Sequence, residues 1–241
     1  MSDLPDFGVK NKQVLISGGA GGIGGAFARA FAAAGAGVTI ADITPPGGDL
    51  IRPGIFFAPL DVRSDAAIGA LAARIEALDV LIHCAGRLAP QQEYEIDIFK
   101  DIIDIHLMGA MRLAYAFRPH LRAARGCIIN IASIYSYFGS SRIPAYSAAK
   151  TAIVGLTRSL ALGFAEDAIR VNAIAPGWIK TEISRGAREN PAFNAKVLDR
   201  LALRRWSDPE ELAGTAIFLA SPASSLITGV TIPVDGGYVA G

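Results

Sequence analysis

Short runs of apolar residues alternate with longer segments of helical periodicity along the whole chain. The apolar runs predict buried strands over residues 13–17, 38–41, 55–58, 80–84, 127–132, 169–174 and 230–234. The intervening segments predict helices over residues 22–34, 65–77, 97–118, 147–165 and 208–220. In the first of these helices, Phe27 and Phe31 stand four residues apart and therefore share one face.

This alternation predicts an α/β fold. Strands that are apolar along their whole length are typical of a parallel sheet that is buried on both faces. We therefore expect a Rossmann-type, doubly wound parallel sheet of about seven strands with helices on both faces. The crossover at 43–54 carries three prolines and three glycines, which predicts a loop in place of a helix. No repeat or linker interrupts the pattern, so we expect residues 1–241 to form a single domain.

Composition removes several classes of protein from consideration. The 241 residues are 51% hydrophobic and 19% charged, which suffices for a large core. A net charge of +1 provides no charged surface for nucleic acid or an anionic membrane. Cys84 and Cys127 lie in apolar runs, as in proteins of a reducing compartment, and the three histidines lack metal-ligand spacing. Without a signal peptide or an apolar run long enough to span a membrane, a cytoplasmic protein with no metal is expected.

A glycine-rich segment at 17–24 joins the first strand to the first helix. Glycines allow a tight turn and a close approach to a pyrophosphate, and the helix N-terminus offers free N–H groups to the anion. Asp42 ends the second strand, 24 residues after Gly18. Its carboxylate can accept hydrogen bonds from both ribose hydroxyls of an adenosine and would repel a 2′-phosphate. These features predict a dinucleotide site that prefers NAD to NADP.

A second group of polar residues lies far downstream. Tyr146 and Lys150 are four residues apart on one face of a predicted helix, and Ser133 closes a strand thirteen residues before Tyr146. The pKa of a free tyrosine is about 10, and a nearby ammonium together with an oxidised nicotinamide ring would lower it. The phenol can then exchange a proton with an alcohol or ketone oxygen, to which the Ser133 hydroxyl can donate.

These segments resemble the short-chain dehydrogenase/reductase family along essentially the whole chain. The glycine run is similar to the family's Thr-Gly-x-x-x-Gly-x-Gly, with Ser17 in the place of Thr. Further matching segments are Leu60-Asp61-Val62, Cys84-Ala85-Gly86, Ser133, Tyr146-x-x-x-Lys150, Arg170 to Gly177 followed by Thr181, and Val234 to Gly237.

The resemblance implies hydride transfer between NAD and a small secondary alcohol or ketone. In this interpretation Tyr146 is the acid/base, Ser133 orients the substrate, and Lys150 binds the nicotinamide ribose and lowers the pKa of the tyrosine. It implies that the cofactor is bound by Gly18, Gly22, Ile23, Gly24, Asp42, Asp61, Val62, Ala85, Gly86, Tyr146, Lys150, Pro176, Gly177, Ile179 and Thr181. It also implies a homotetramer in which the 97–118 and 147–165 helices pack between subunits. Ordinary packing within one chain is the alternative for these helices.

The chain departs from the family pattern at three positions. His106 stands where the family usually has an Asn that helps to hold a water linking the lysine to solvent. Imidazole can also hold a water and titrates near neutral pH, so our hypothesis is that His106 joins the proton relay. A tolerated polar replacement with unchanged chemistry is the alternative. His83 and Cys84 replace the two Asn of the family's Asn-Asn-Ala-Gly, which affects local packing more than catalysis.

The substrate remains open from the sequence. Residues 182–206, called the lid segment below, are expected to cover the substrate, and they carry Arg185, Arg188, Lys196, Arg200, Arg204 and Arg205. These cations are compatible with an anionic substrate, but a solvated helical face is the favoured interpretation. Four aromatic residues are expected either to wall the pocket or to pack in the core: Tyr135, Tyr137, Phe138 and Trp178. A sugar acid, a polyol, a hydroxy acid and a cyclic alcohol are all compatible with the sequence.

Two other classes of function compete with an alcohol dehydrogenase. A non-catalytic dinucleotide sensor or scaffold would keep the fold without turnover, which the departures at residues 83, 84 and 106 leave open. A methyltransferase with a glycine-rich adenosine site would explain Asp42, but it leaves Tyr146 and Lys150 unexplained.

Overall fold

The computed structural model describes residues 6–241 and contains a seven-stranded sheet in which every strand pair is parallel. The strands lie in the order β3-β2-β1-β4-β5-β6-β7. They are β1 (Gln13–Ser17), β2 (Gly37–Asp42), β3 (Ile55–Pro59), β4 (Val80–His83), β5 (Cys127–Ile131), β6 (Arg170–Pro176) and β7 (Thr231–Val234). The predicted doubly wound parallel sheet of seven strands is confirmed.

Helices connect these strands and cover the sheet. They are α1 (Gly22–Ala33), α2 (Asp65–Ala72), α3 (Ile96–Ile103), α4 (Gly109–Ala124), α5 (Pro144–Gly163), α6 (Arg185–Glu189), α7 (Pro191–Arg200) and α8 (Ala213–Ala220). The lid segment thus contains α6 and α7, and the Asn190 side chain caps α7 by accepting the Phe193 N–H at 3.0 Å.

Successive side chains of the central strands enter different cores, because side chains alternate across a strand. In β1, Val14 and Ile16 pack into the core beneath α1 and α8, whereas Leu15 packs into the core beneath α4. The first core contains Phe27 and Phe31, both fully buried, so the face predicted for the first helix is correct. Burial on both faces explains why these strands are apolar without interruption.

Three predicted helices differ from the observed ones. The 208–220 segment begins with a 3₁₀ turn at Pro209–Leu212, and α8 follows it. The 97–118 segment forms two helices, α3 and α4, joined by a π-helical turn at Asp104–Met108 with His106 at its centre. A π turn widens the backbone ladder and re-aims the side chains and carbonyls within it, which helical periodicity does not reveal. The predicted 65–77 helix ends earlier, at Ala72. In the connection that follows it, the Asp79 side chain accepts the Gln13 N–H at 2.8 Å and so contacts the start of β1.

The connection at 43–54 is a loop, as predicted, with a single 3₁₀ turn at Gly48–Leu50. Its prolines cannot donate the N–H groups that a helix would need. Between residues 6 and 241, no helix combines the length and apolarity required to cross a bilayer.

The strand order reverses at β1, which lies between β2 and β4. At such a reversal the connections leave towards opposite faces of the sheet, so a crevice opens at the carboxyl ends of the strands. Ser17, Asp42, His83 and Pro176 end their strands at this edge, and Ser133 follows two residues after β5. The predicted site residues therefore converge although they are distant in sequence.

Candidate active site

A cavity of about 660 Å³ occupies the carboxyl edge of the sheet. Most of the site residues expected from the sequence line it: Gly18, Gly22, Ile23, Gly24, Asp42, Asp61, Val62, Ala85, Gly86, Ser133, Tyr146, Pro176, Gly177, Ile179 and Thr181. Lys150 and His106 are buried behind this lining. The structure therefore brings the glycine-rich segment and the distant Tyr-Lys pair to one site.

The glycine-rich turn packs too closely for side chains at two positions. Gly18 has φ +68°, and a Cβ there would lie 2.5 Å from the backbone nitrogen of Ala85. A Cβ at Gly24 would lie 2.2 Å from the carbonyl oxygen of Gly18. Gly21 is different, because a Cβ there would meet no atom of residues 6–241 within 4 Å. This glycine borders the cavity at the uncapped N-terminus of α1, so the open space and free N–H groups fit a pyrophosphate.

Backbone N–H groups fix the carboxylate at the end of β2. One oxygen of Asp42 accepts the Ala20 N–H at 3.0 Å, and the other accepts the Thr44 N–H at 3.1 Å. The carboxylate is thus anchored between the glycine-rich turn and the loop after β2, beside the cavity. This position fits the ribose of an adenosine seated on the turn.

Arg63 forms an ion pair with Asp61, the second acidic residue of the site. Its guanidinium donates to Asp61 at 2.7 Å and also to Asp101 at 2.7 Å. The hydrogen bond from Arg63 to Asp61 lowers the pKa of the Asp61 carboxyl, which therefore remains ionised. Arg87 donates to the other oxygen of Asp101 at 2.7 Å, so two of the arginines that line the cavity share one carboxylate.

Ser133, Tyr146 and Lys150 come together where β5 ends and α5 begins. Tyr146 is the third residue of α5, and Lys150 follows one turn later. The Lys150 Nζ donates to the Ile131 carbonyl at the end of β5 at 2.6 Å and lies 5.5 Å from the centroid of the Tyr146 ring. The Ser136 hydroxyl donates to the Lys150 carbonyl at 2.7 Å, which joins the turn after Ser133 to the same helix.

Burial sets the protonation of the tyrosine and the lysine. It raises the pKa of Tyr146, which the neighbouring Ser133 hydroxyl opposes and the negative charge of Glu93 reinforces. Burial also lowers the pKa of Lys150 to about 8. The sequence predicts that the Lys150 ammonium lowers the pKa of Tyr146. In the chain without a cofactor, burial raises this pKa instead. An oxidised nicotinamide bound in the cavity would add a positive charge that favours removal of the phenolic proton.

Comparisons with known proteins agree with this geometry. Residues 18–239 match a family model described as enoyl-(acyl carrier protein) reductase. The 5-keto-D-gluconate 5-reductase of Escherichia coli K12 is 36% identical to the chain, with 99% of both proteins covered. The 2-dehydro-3-deoxy-D-gluconate 5-dehydrogenase of Bacillus subtilis is 34% identical, with 97% of this chain and 96% of that protein covered.

A crystal structure of a gluconate 5-dehydrogenase from Burkholderia cenocepacia, in complex with NADP and tartrate, superimposes with a TM-score of 0.91. It is 34% identical and covers 98% of both chains. This chain belongs to the short-chain dehydrogenase/reductase family. Like its relatives, it is an oxidoreductase of small alcohols or ketones that uses a nicotinamide dinucleotide.

Two of the residues that depart from the family pattern, His83 and His106, contact each other. The His83 ring bridges the Ser17 hydroxyl, 2.8 Å from Nδ1, and the His106 carbonyl, 3.2 Å from Nε2. The His106 ring lies against Gly86, meets the Tyr146 ring edge-on at 5.2 Å, and places Nε2 2.9 Å from the Arg87 carbonyl. The Arg87 N–H lies 3.2 Å from the same Nε2, so this nitrogen faces both a donor and an acceptor of one residue. When Nε2 carries the proton, it donates to the closer carbonyl, and Nδ1 is a buried acceptor with no partner among residues 6–241.

Both imidazoles are neutral. Burial lowers the pKa of His83 to about 3, and burial followed by the charge of Lys150 lowers the pKa of His106 well below its ordinary value. Any part that His106 plays in a relay therefore uses its neutral form, with Nδ1 as the acceptor when Nε2 carries the proton. The Cys84 thiol is also uncharged, because burial raises its pKa to about 12.

Glu93 is a site residue that the sequence did not indicate. Its side chain is fully buried in a 3₁₀ turn before α3, and its carboxylate accepts the Tyr146 N–H at 2.9 Å and the Ala89 N–H at 3.2 Å. It therefore caps the first turn of α5 and positions the backbone that carries the phenol. A lone Glu in a connecting segment gives no pattern, since its partners are backbone amides, one of them 53 residues away.

Aromatic residues form one wall of the cavity. Tyr135, Trp178 and Phe193 line it, and their rings meet edge-on, with centroids 6.1 Å apart for Tyr135–Trp178 and 5.4 Å for Trp178–Phe193. Tyr137 and Phe138 do not line it, and Phe138 packs on Tyr238 instead. Of the four aromatic residues considered in the sequence, two therefore line the cavity.

The basic side chains of the lid segment do not line the cavity. Arg185 pairs with Glu182, Arg204 with Asp199, and Arg205 with Glu211. None of the six basic side chains of residues 182–206 lines the cavity. The solvated-face interpretation therefore suits them better than a role in binding an anion. Across residues 6–241, His, Cys, Asp and Glu side chains form no group of three that could share a metal ion.

The charge of Glu93 predicts a shift in pH dependence. Glu93→Gln removes the negative charge and retains one amide oxygen, which can accept the Tyr146 N–H, while the Ala89 N–H loses its acceptor. Thermal unfolding checks that the variant folds. Because the carboxylate raises the pKa of the phenol, we expect that pKa to fall, so that alcohol oxidation persists to lower pH. The acid limb of kcat against pH should move down by about half to one unit. Glu95→Gln, two residues away and exposed, is the matched control, and an unmoved limb in the Glu93 variant would contradict the assignment.

The relay hypothesis for His106 predicts a second change in pH dependence. His106→Asn removes the buried Nδ1 acceptor beside the Tyr146 ring and supplies the family's usual side chain. If His106 passes protons, the apparent pKa in the kcat profile should shift by about half a unit or more. The profile is measured with the cofactor saturating, and thermal unfolding checks that the variant folds. A profile that superimposes on that of the unmodified protein would remove His106 from the relay.

Proposed function

We propose that this protein is an NAD-dependent dehydrogenase and ketoreductase that interconverts a secondary alcohol and its ketone, with Tyr146 as the acid/base. The observation that carries the proposal is the convergence of Ser133, Tyr146 and Lys150 on the cavity that the glycine-rich turn also borders. A dinucleotide on the turn and a substrate beside the tyrosine would then share one cavity.

Three side chains have separate roles in the proposed reaction. Bound NAD would accept a hydride from the alcohol carbon. Tyr146 takes the hydroxyl proton as the carbonyl forms, and Ser133 donates a hydrogen bond to the reacting oxygen. Lys150, anchored on the Ile131 carbonyl, supplies a positive charge beside the phenolate. In ketone reduction Tyr146 returns the proton to the oxygen.

The residues expected to bind the cofactor fall into three groups along the cavity. We assign Gly18, Gly22, Ile23 and Gly24 to the pyrophosphate, since they form the turn and first helical residues. Asp42, Asp61 and Val62 would contact the adenosine. The nicotinamide end would lie among Ala85, Gly86, Tyr146, Lys150, Pro176, Gly177, Ile179 and Thr181.

We propose NAD as the preferred dinucleotide, although the Burkholderia relative was crystallised with NADP. Asp42 supports this choice, because a carboxylate held beside the glycine turn would repel a 2′-phosphate. The arginine on the neighbouring loop, Arg63, already donates to two carboxylates. It is therefore poorly placed to neutralise a third anion.

The relatives guide the choice of substrate. Two of them act on oxidised gluconates, and a third, from Serratia marcescens, is named for meso-2,3-butanediol. A small, polar, secondary alcohol or its ketone is therefore proposed here. The lid segment would cover it, since Glu182, Ile183, Asn190 and Phe193 of this segment line the cavity.

We further propose a single-domain subunit that assembles into a cytoplasmic homotetramer. Tyr115 on α4 and Leu162 on α5 are 72% and 82% exposed, and Met108 and Met111 are also exposed beside α4 and on it. Such apolar side chains on neighbouring helices suit packing between subunits. The free thiols of Cys84 and Cys127 suit a reducing compartment.

Removing the phenolic hydroxyl tests the proposed chemistry. Tyr146→Phe keeps the ring against His106 but takes away the group that exchanges the proton. We expect kcat to fall by about a thousandfold or more, with the Kd for NADH changed by less than about threefold. Tyr137→Phe, which makes the same change outside the cavity lining, is the control. A Tyr146 variant with ordinary turnover would refute the role. An unmodified protein that binds NADH but converts no alcohol or ketone would favour the non-catalytic sensor.

Removing the charge at the end of β2 tests the cofactor preference. Asp42→Asn keeps an acceptor for a backbone N–H and relieves repulsion of a 2′-phosphate. The ratio of kcat/KM for NAD to that for NADP should fall by about tenfold or more, which corresponds to about 1.4 kcal/mol. Asp49→Asn, on the exposed loop after β2, should leave the ratio unchanged. A ratio that stays constant in the Asp42 variant would show that this carboxylate does not select the cofactor.

A further inference from the structure

We propose that Arg142 binds a carboxylate group of the substrate, so that the protein acts on small hydroxy and keto acids. The proposal rests on the proposed function and narrows its substrate class. It assigns to one side chain the selectivity for acids that the cations of the lid segment do not provide.

The backbone of Arg142 is fixed near the reacting end of the cavity. The residue lies two positions before α5 and four before Tyr146. Its N–H donates to the Ser140 hydroxyl at 3.3 Å, and its carbonyl accepts the Gln91 N–H at 2.7 Å. The residue lines the cavity, and its side chain is otherwise exposed. A tethered backbone with an accessible guanidinium is a suitable arrangement for a binding residue.

Arg142 differs from the other cations of the cavity in its pairing. Arg63 and Arg87 also line the cavity, but each donates to Asp101 at 2.7 Å. Within residues 6–241, no carboxylate oxygen lies within 4 Å of the Arg142 guanidinium. Its guanidinium instead lies over the Phe193 ring of α7, whose centroid is 5.9 Å from Cζ. A guanidinium has five N–H donors arranged for bidentate binding of a carboxylate, and here they remain available.

The carboxylates of the cavity do not compensate this charge. Asp42 and Asp61 lie at the end assigned to the adenosine, and Asp61 is paired with Arg63. Glu182 of the lid segment pairs with Arg185 at 2.8 Å. On the lining of the end that contains Ser133 and Tyr146, Arg142 is therefore a cation without a carboxylate partner, which favours an anionic substrate. The carboxylate of Glu93 lies behind this lining and accepts backbone N–H groups.

A row of rings connects the reacting position to the guanidinium. The Tyr146 and Tyr135 centroids are 6.2 Å apart, and Trp178 and Phe193 continue the row to Arg142. A substrate that places its alcohol at Tyr146 and its carboxylate at Arg142 would lie along these rings. The cavity therefore offers one continuous aromatic wall between the phenol that exchanges the proton and the guanidinium.

The test compares an acid with its uncharged counterpart in the intact protein. D-Gluconate and D-glucitol are the first pair, because they share a carbon chain and differ in a carboxylate against a CH₂OH group. Further hydroxy acids with their corresponding alcohols complete the panel. Oxidation is followed by NADH absorbance with Arg142→Met, with Arg142→Lys, and with Arg74→Met as an exposed control.

We expect the unmodified protein to prefer the acid of a pair. Arg142→Met should raise KM for the acid by about thirtyfold or more and change kcat by less than about threefold, because the contact binds ground state and transition state alike. Kinetics with the uncharged alcohol should not change, which also shows that the variant folds. Arg142→Lys keeps the charge without the bidentate geometry. Its KM for the acid should therefore lie between the values for the unmodified protein and Arg142→Met.

Other outcomes separate the two proposals. Turnover of alcohols with no turnover of acids, or an unchanged KM for the acid in Arg142→Met, would overturn the carboxylate assignment and leave the proposed function standing. Absence of turnover with every compound, while NADH still binds, would overturn the proposed function and this inference together.

Discussion

All seven strands run in the same direction, and this constraint sets the position of every group in the site. Parallel strands bring their carboxyl ends to one edge, and the order reversal at β1 opens that edge between two sets of connections. Side chains more than a hundred residues apart, such as Asp42 and Tyr146, border one cavity for this reason. The hydrogen bond from Lys150 to the Ile131 carbonyl then joins α5 to the same edge.

Desolvation governs the chemistry of the site more strongly than pairwise charge. The tyrosine is harder to deprotonate, the lysine is easier to deprotonate, and both histidines are neutral, all chiefly because they are buried. In the chain alone, burial therefore favours the protonated phenol. A positive nicotinamide ring would complete the electrostatics, so that acid/base chemistry becomes linked to the presence of the oxidised cofactor.

The sequence reveals those parts of the molecule that repeat or follow a fixed spacing. Uninterrupted apolar runs predicted the strands, and the glycine spacing and the Tyr146–Lys150 spacing predicted residues that do meet in space. The π turn around His106 was not predicted, since its side-chain pattern is that of an ordinary helix. Glu93 and Arg142 were also missed, because each acquires its meaning from partners or open space that only the folded chain supplies. Periodicity thus predicts the scaffold, whereas isolated polar residues need the tertiary structure.

The contact between Gly86 and the ring of His106 has a consequence for how this chain can diverge. A Cβ at residue 86 would lie 2.1 Å from Cε1 of the imidazole, and that ring already abuts Tyr146 on its other side. Even alanine at position 86 would therefore force the buried imidazole ring to move. The side chain that residue 86 tolerates thus depends on the size of the side chain at residue 106.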